Sequence, residues 1–127
     1  MRSSADDEVA IIAAGITVYE ALKAARILEK ESITARVIDA YSIKPIDAVT
    51  IRQAAEDTGA VITVEDHYPE GGLGDAVLNV LAGRTTIIRK LAVNNMPRSG
   101  DPETLMEHYG IAAANIVAAV KEMLGIA

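Results

Sequence analysis

The chain has 127 residues, half of them hydrophobic but only 3% aromatic, with no Phe, Trp or Cys and a formal net charge of -6. That length makes one domain, able to bury roughly two thirds of the surface its unfolded form would expose. The missing cysteines exclude disulfides, thiolate metal sites and a cysteine nucleophile, while the negative charge, with the 12 Lys and Arg scattered along the chain, argues against nucleic acid and anionic lipid as partners.

No apolar run approaches the ~20 residues needed to span a bilayer, and Met1 to Glu8 lacks the apolar core of a secretory signal, so the sequence reads as that of a cytoplasmic protein with no membrane partner. With so few aromatic residues, the core must be built from Val, Ile, Leu and Ala, which suits a sheet covered by helices on both faces.

Val9 to Ala14 is apolar on consecutive positions, the pattern of a strand buried on both faces, and Gly15 ends it. Thr17 and Glu20 have the spacing of a capping box at a helix start. Val18, Ala21, Leu22, Ala25 and Leu28 repeat at helical spacing as the expected buried stripe, leaving Lys23, Arg26 and Lys30 for solvent. Arg36 to Ala40 is the second expected strand. Pro45 and Asp47 mark a helix entry, with Asp47 as N-cap and Gly59 as the residue just past the end. Ala60 to Val64 is the third strand, followed by a helix from Leu73 to Ala82 that Gly83 stops.

Thr86 to Val93 is the fourth strand, and Arg89 and Lys90 place it near the sheet edge, where charged side chains are tolerated. Asp101 and Pro102 open a short helix running to about Tyr109, with Gly110 as its stop. Ile116, Val117, Val120, Met123 and Leu124 form the apolar stripe of a final helix. Strands alternating with helices imply parallel pairing and right-handed crossovers. The fold class is therefore α/β: a three-layer α/β/α sandwich on a mainly parallel sheet of about four or five strands.

In such a sheet the loops after the strands, Gly15 to Thr17, Asp39 to Ser42, Glu65 to Gly72 and Asn94 to Gly100, leave from one edge. That edge carries Asp39, Tyr41, Glu65, Asp66, His67, Asn94 and Asn95. A carboxylate beside a histidine is able to exchange protons, but groups at strand ends also cap helices and meet neighbouring domains, and we read them in that second way. Gly71, Gly72 and Gly74 open a helix without the G-x-G-x-x-G spacing of a dinucleotide site, and Asp75 occupies the positive helix end that a phosphate would want. They are read as a tight turn with close helix packing. His108 has no metal-ligand neighbours at the required spacing. Arg98 lies in a Pro-Arg-Ser-Gly loop as a structural or interface residue. No nucleophile, base and oxyanion hole assemble, so the expected catalytic, cofactor-binding and metal residues of this chain are none.

Three blocks in the same order, Ser42-Ile43-Lys44-Pro45-Ile46-Asp47, Val64-Glu65-Asp66-His67-Tyr68-Pro69-Glu70-Gly71-Gly72-Leu73-Gly74 and Leu91-Ala92-Val93-Asn94-Asn95-Met96-Pro97-Arg98-Ser99-Gly100, resemble the C-terminal domain of transketolases. The resemblance covers about residues 9 to 124. It implies a parent transferase of the pentose phosphate pathway that moves a two-carbon ketol unit between sugar phosphates, using thiamine diphosphate and Mg²⁺ held between a pyrophosphate-binding and a pyrimidine-binding domain. Both of those domains precede the C-terminal one in the family. It also implies a homodimer, and a sheet whose antiparallel strand comes from just before the first parallel one.

On this reading residues 1-8 are a polar segment, a remnant of the upstream chain or a start introduced when the domain was produced separately, and residues 9-127 are the transketolase C-terminal-like domain. The domain's expected role is structural, in inter-domain and dimer contacts, with no activity alone. Glu65, Asp66, His67, Gly71, Gly72, Gly74 and Arg98 are its candidate interface residues. The alternative is an independent small-ligand or regulatory binding module on a flavodoxin-like sheet, using the Asp66-His67 loop.

Overall fold

The computed structural model describes residues 7–13, 17–39, 48–64, 73–83, 86–91 and 113–126. The strands are β1 (Val9–Ala13), β2 (Ala35–Asp39), β3 (Ala60–Val64) and β4 (Ile87–Leu91); the helices are α1 (Thr17–Lys30), α2 (Ala48–Thr58), α3 (Leu73–Val80) and α4 (Ala113–Met123). The strands form one parallel sheet in the order β2-β1-β3-β4. This is the expected sandwich with four strands, and no antiparallel strand occurs among the described residues.

Strand alternation divides the core in two. Val9, Ile11, Val37, Ile62 and Val64 point to one face, where Ala21, Ala24, Ala25 and Leu28 of α1 and Ile116, Val117 and Val120 of α4 cover them. Ala10, Ile12, Ile38 and Val61 point to the other, against Ile51, Ala54 and Ala55 of α2, Val77 of α3, and Leu81. β1, β2 and β3 are buried along nearly their whole length, as consecutive apolar residues require. β4 is one edge of the described sheet, opposite β2, with Ile87 and Lys90 exposed, in keeping with the two charges in its sequence.

Gly59 and Gly83 follow α2 and α3 at φ 74° and 84°, the left-handed conformation that a helix stop uses and glycine adopts without penalty. The expected N-cap, Asp47, and the short helix from Asp101 lie outside the described residues.

One expectation for α1 is corrected. Its buried residues are Thr17, Glu20, Ala21, Ala24, Ala25 and Leu28, so the inward stripe includes Glu20 and Ala24 where the apolar pattern placed Leu22, which is 36% exposed. Glu20 also reaches beyond its own helix. One carboxylate oxygen accepts the N–H of Ala113, 2.9 Å away, and the other pairs with Lys23 at 3.2 Å.

Asp7 and Glu8 are integrated into the sheet. The Glu8 N–H donates to the Thr34 carbonyl at 2.8 Å, the Thr34 N–H donates to the Glu8 carboxylate at 3.3 Å, and buried Asp7 pairs with Arg36 at 3.1 Å. Arg36 is itself buried within β2 and makes a second pair with Asp57, at the end of α2, at 2.9 Å.

Candidate functional site at the carboxyl edge of the sheet

Because all four strands are parallel, Ala13, Asp39, Val64 and Leu91 end on one edge. The chain runs from β1 outward to β2 and then returns to the other side of β1 as β3. The direction of winding therefore reverses between β1 and β3. α1, which follows β1, packs on one face and α3, which follows β3, on the other, and it is at such a reversal that doubly wound sheets hold their ligands.

The described residues lie on both sides of this reversal point. α1 begins at Thr17, four residues after β1 ends, and the Thr17 hydroxyl donates to the carbonyl of Val64, the last residue of β3, at 2.8 Å. This buried bond joins residues 47 apart in sequence across the reversal point. It gives a buried strand-end carbonyl a side-chain donor. One turn into α1, the Glu20 carboxylate receives the first N–H of α4, so a negative charge sits at the positive end of that helix. Lys23 balances it and lies 5.1 Å from the centroid of the Tyr19 ring, which is 62% exposed.

At the other end of the α1/α4 pair, Lys121 binds Glu31, and on β4 Arg89 pairs with Glu122 of α4 at 2.7 Å. α4 is thus held at both ends, with its first residue near the carboxyl edge.

Among the sequence-predicted site residues, Gly74 lies in the first turn of α3. Glu65, Asp66, His67, Gly71, Gly72 and Arg98 lie outside the described residues, as does His108. Glu65 follows Val64 directly in sequence, which ties the start of that stretch to the reversal point. Asp39, also read as an edge residue, ends β2 and is half-buried. No group of three or more His, Cys, Asp or Glu able to hold a metal ion occurs among the described residues, and none of their helices is long and apolar enough to cross a membrane.

Two features escaped the sequence reading. The tie from Thr17 to Val64 and the cap from Glu20 to Ala113 are long-range uses of residues that have a local motif's spacing. The Arg36 cluster did leave a signal: an arginine inside an apolar strand requires a buried counter-charge.

Comparison with known proteins bears on the same residues. The family model described as "Transketolase, C-terminal domain" matches residues 1–116. The chain is 52% identical to mouse transketolase-like protein 2 over 124 residues and 46% identical to human transketolase over 123, covering 96% and 95% of itself but 20% of each relative. It thus spans about a fifth of the length of these proteins.

Among solved structures, a split-gene transketolase determined as an inactive β4 tetramer matches at TM-score 0.82 and 44% identity, over 95% of this chain and 40% of that one. A transketolase from Campylobacter jejuni matches at TM-score 0.68 and 18% identity, over 95% of this chain and 18% of that one, a likeness of fold alone. With the sheet order, the two-sided core and the family match over nearly its whole length in agreement, the chain belongs to the transketolase C-terminal domain family.

Proposed function

We propose that this chain serves as the C-terminal domain of a transketolase, a thiamine diphosphate-dependent transferase of two-carbon ketol units between sugar phosphates in the cytoplasm. Its own part is structural: it packs against the upstream pyrophosphate- and pyrimidine-binding domains and contributes to a homodimer, and it is inactive alone. The observation that carries this reading is the family match along a chain spanning a fifth of the transketolases it resembles. The split-gene relative, an inactive tetramer of one chain type, supports the view that this domain needs complementary chain for activity.

The described residues do not fit a thiamine diphosphate and Mg²⁺ site. They hold no group of three or more His, Cys, Asp or Glu able to bind a metal ion, and both faces of the described sheet are filled by their own side chains. We therefore derive no step of the reaction from them. The stretch from Glu65 to Gly74, with Arg98, is assigned to inter-domain or inter-subunit contact, because it follows β3 at the edge where doubly wound domains meet ligands and neighbours.

The test is reconstitution. The purified chain should show no ketol transfer and no saturable heat on titration with thiamine diphosphate and Mg²⁺. Adding the complementary upstream transketolase fragment should restore transfer. Activity of the chain alone would overturn the proposal, as would a complemented mixture that associates yet stays inactive while the same upstream fragment is activated by a known transketolase C-terminal domain.

A further inference from the structure

We infer that Asp7, Arg36 and Asp57 form a junction clamp that fixes the direction in which polypeptide enters the domain. This rests on the transketolase reading only in taking that polypeptide to be the link to the upstream domains. Asp7 and Glu8 precede β1, so the entry lies at the amino edge of the sheet, opposite the reversal point between β1 and β3. An uncommitted linker would be solvated at such a place. Here Asp7 is 5% exposed and Arg36 is 8% exposed.

The Arg36 guanidinium spreads its donors between two elements. Nε reaches Asp7 at 3.1 Å in the entry segment, and a terminal nitrogen reaches Asp57 at 2.9 Å on α2. Arginine suits this task because its donors form a rigid planar fork, which a lysine cannot reproduce. The paired backbone of Glu8 and Thr34 continues the β1/β2 ladder outward by one step, and the Glu8 carboxylate returns to the Thr34 N–H. The entry segment, β2 and α2 are thereby locked together at one point. A link to upstream domains that enters through Asp7 would thus start from an anchored point, which limits the angles a docked upstream domain can take to the sheet.

Hydrogen exchange on the 127-residue chain tests this without any activity readout, so its outcome is independent of the reconstitution experiment. The Glu8 amide, bonded to Thr34, is the reporter. Asp7→Ala leaves Arg36 paired with Asp57, so the core should persist. The Glu8 amide should lose protection by at least about tenfold while amides of Ile11 and Ile62 keep theirs. Arg36→Lys should give most of the same loss, because an ammonium cannot reach both carboxylates through the fork.

Limited proteolysis should cut before Val9 faster in both variants than in the wild type. Unchanged Glu8 protection in Asp7→Ala would overturn the inference, as would a loss shared equally by Ile11 and Ile62, which would make the cluster a general stability element. If Arg36→Lys fails to fold, Asp7→Ala and Asp57→Ala still decide the matter, since each removes one arm and leaves the guanidinium paired.

Discussion

The Glu20 carboxylate caps a helix 93 residues away, accepting the N–H of Ala113 at 2.9 Å. A side chain in the first turn of α1 thus stabilises the start of α4, and its burial at 2% exposure makes the charge-assisted bond stronger than a solvent-facing cap would be. Glu20→Ala should lower stability by about 2 kcal/mol, the usual scale for a buried hydrogen bond to a charged group. Glu20→Gln keeps an acceptor and should lose less. Denaturant melts with unchanged slope would check this, and exchange should show α4 amides opening before those of β1 and β3.

That contact shows how far the sequence was legible. The strands could be read because β1, β2 and β3 are buried on both faces and therefore apolar at consecutive positions, and β4 announced its edge position through Arg89 and Lys90. In α1 the reading slipped. A rule that puts glutamate outside and leucine inside cannot foresee a glutamate turned inward to serve another helix. Once Thr17 and Glu20 face inward, the helical period brings Ala24 with them and rotates Leu22 outward. The carboxyl edge followed from parallel pairing alone, whereas the roles of Glu65, Asp66 and His67 depend on what approaches that edge, which one domain's sequence does not encode.

α1 and α4 end in the same motif but with different residues. Beyond α1, Ile33 N–H bonds to Leu28 O and Ser32 N–H to Glu29 O, with Ser32 at φ 65°; beyond α4, Ile126 N–H bonds to Lys121 O and Gly125 N–H to Glu122 O, with Gly125 at φ 73°. The left-handed position costs serine what it does not cost glycine. Ser32→Gly should therefore raise stability by about 0.5 to 1 kcal/mol. Gly125→Ala, where an added Cβ meets nothing within 4 Å, should lower it by a similar amount for backbone reasons alone. Opposite shifts in the denaturant midpoint are the expected result.

Thr63 is 1% exposed on β3, and its hydroxyl has no hydrogen-bond partner among the described residues. Burying an unsatisfied hydroxyl costs about 1 to 3 kcal/mol. Valine has the same shape and suits a central strand. Thr63→Val should therefore stabilise the chain by about 1 kcal/mol, read from the midpoint of a denaturant melt. A loss of stability would show that the hydroxyl has a partner elsewhere in the chain or in the assembly.

Asp57 is held below its ordinary carboxyl value of 3.8, first by the hydrogen bond from Gln53 and then by Arg36. A carboxyl whose folded value is depressed contributes stability that is fully present above its unfolded value and is lost as pH falls through the folded one. The contribution should therefore persist at neutral pH and fade below about pH 4. Asp57→Asn removes it. The stability gap between wild type and variant should be constant from about pH 7 to 5 and narrow towards pH 2, as followed by denaturant midpoints at each pH. A gap that widens on acidification would mean that Asp57 is not stabilised as the anion.

The interface reading of the Glu65 to Gly74 stretch makes a separate demand on His67. In a full-length parent enzyme, His67→Ala should weaken assembly, seen as lower dimer affinity or melting temperature, while activity per assembled dimer falls only a few-fold. A general acid or base behaves otherwise, because its removal typically costs a factor of about 10² to 10⁴ in rate. The decisive measurement is turnover at enzyme and cofactor concentrations high enough to keep the variant fully dimeric and saturated, so that lost assembly cannot pass for lost chemistry. A fall of that size under those conditions would remove His67 from the interface and place it at the reacting atoms. A preserved rate with weakened dimerisation would assign the loop at the end of β3 to holding neighbours together.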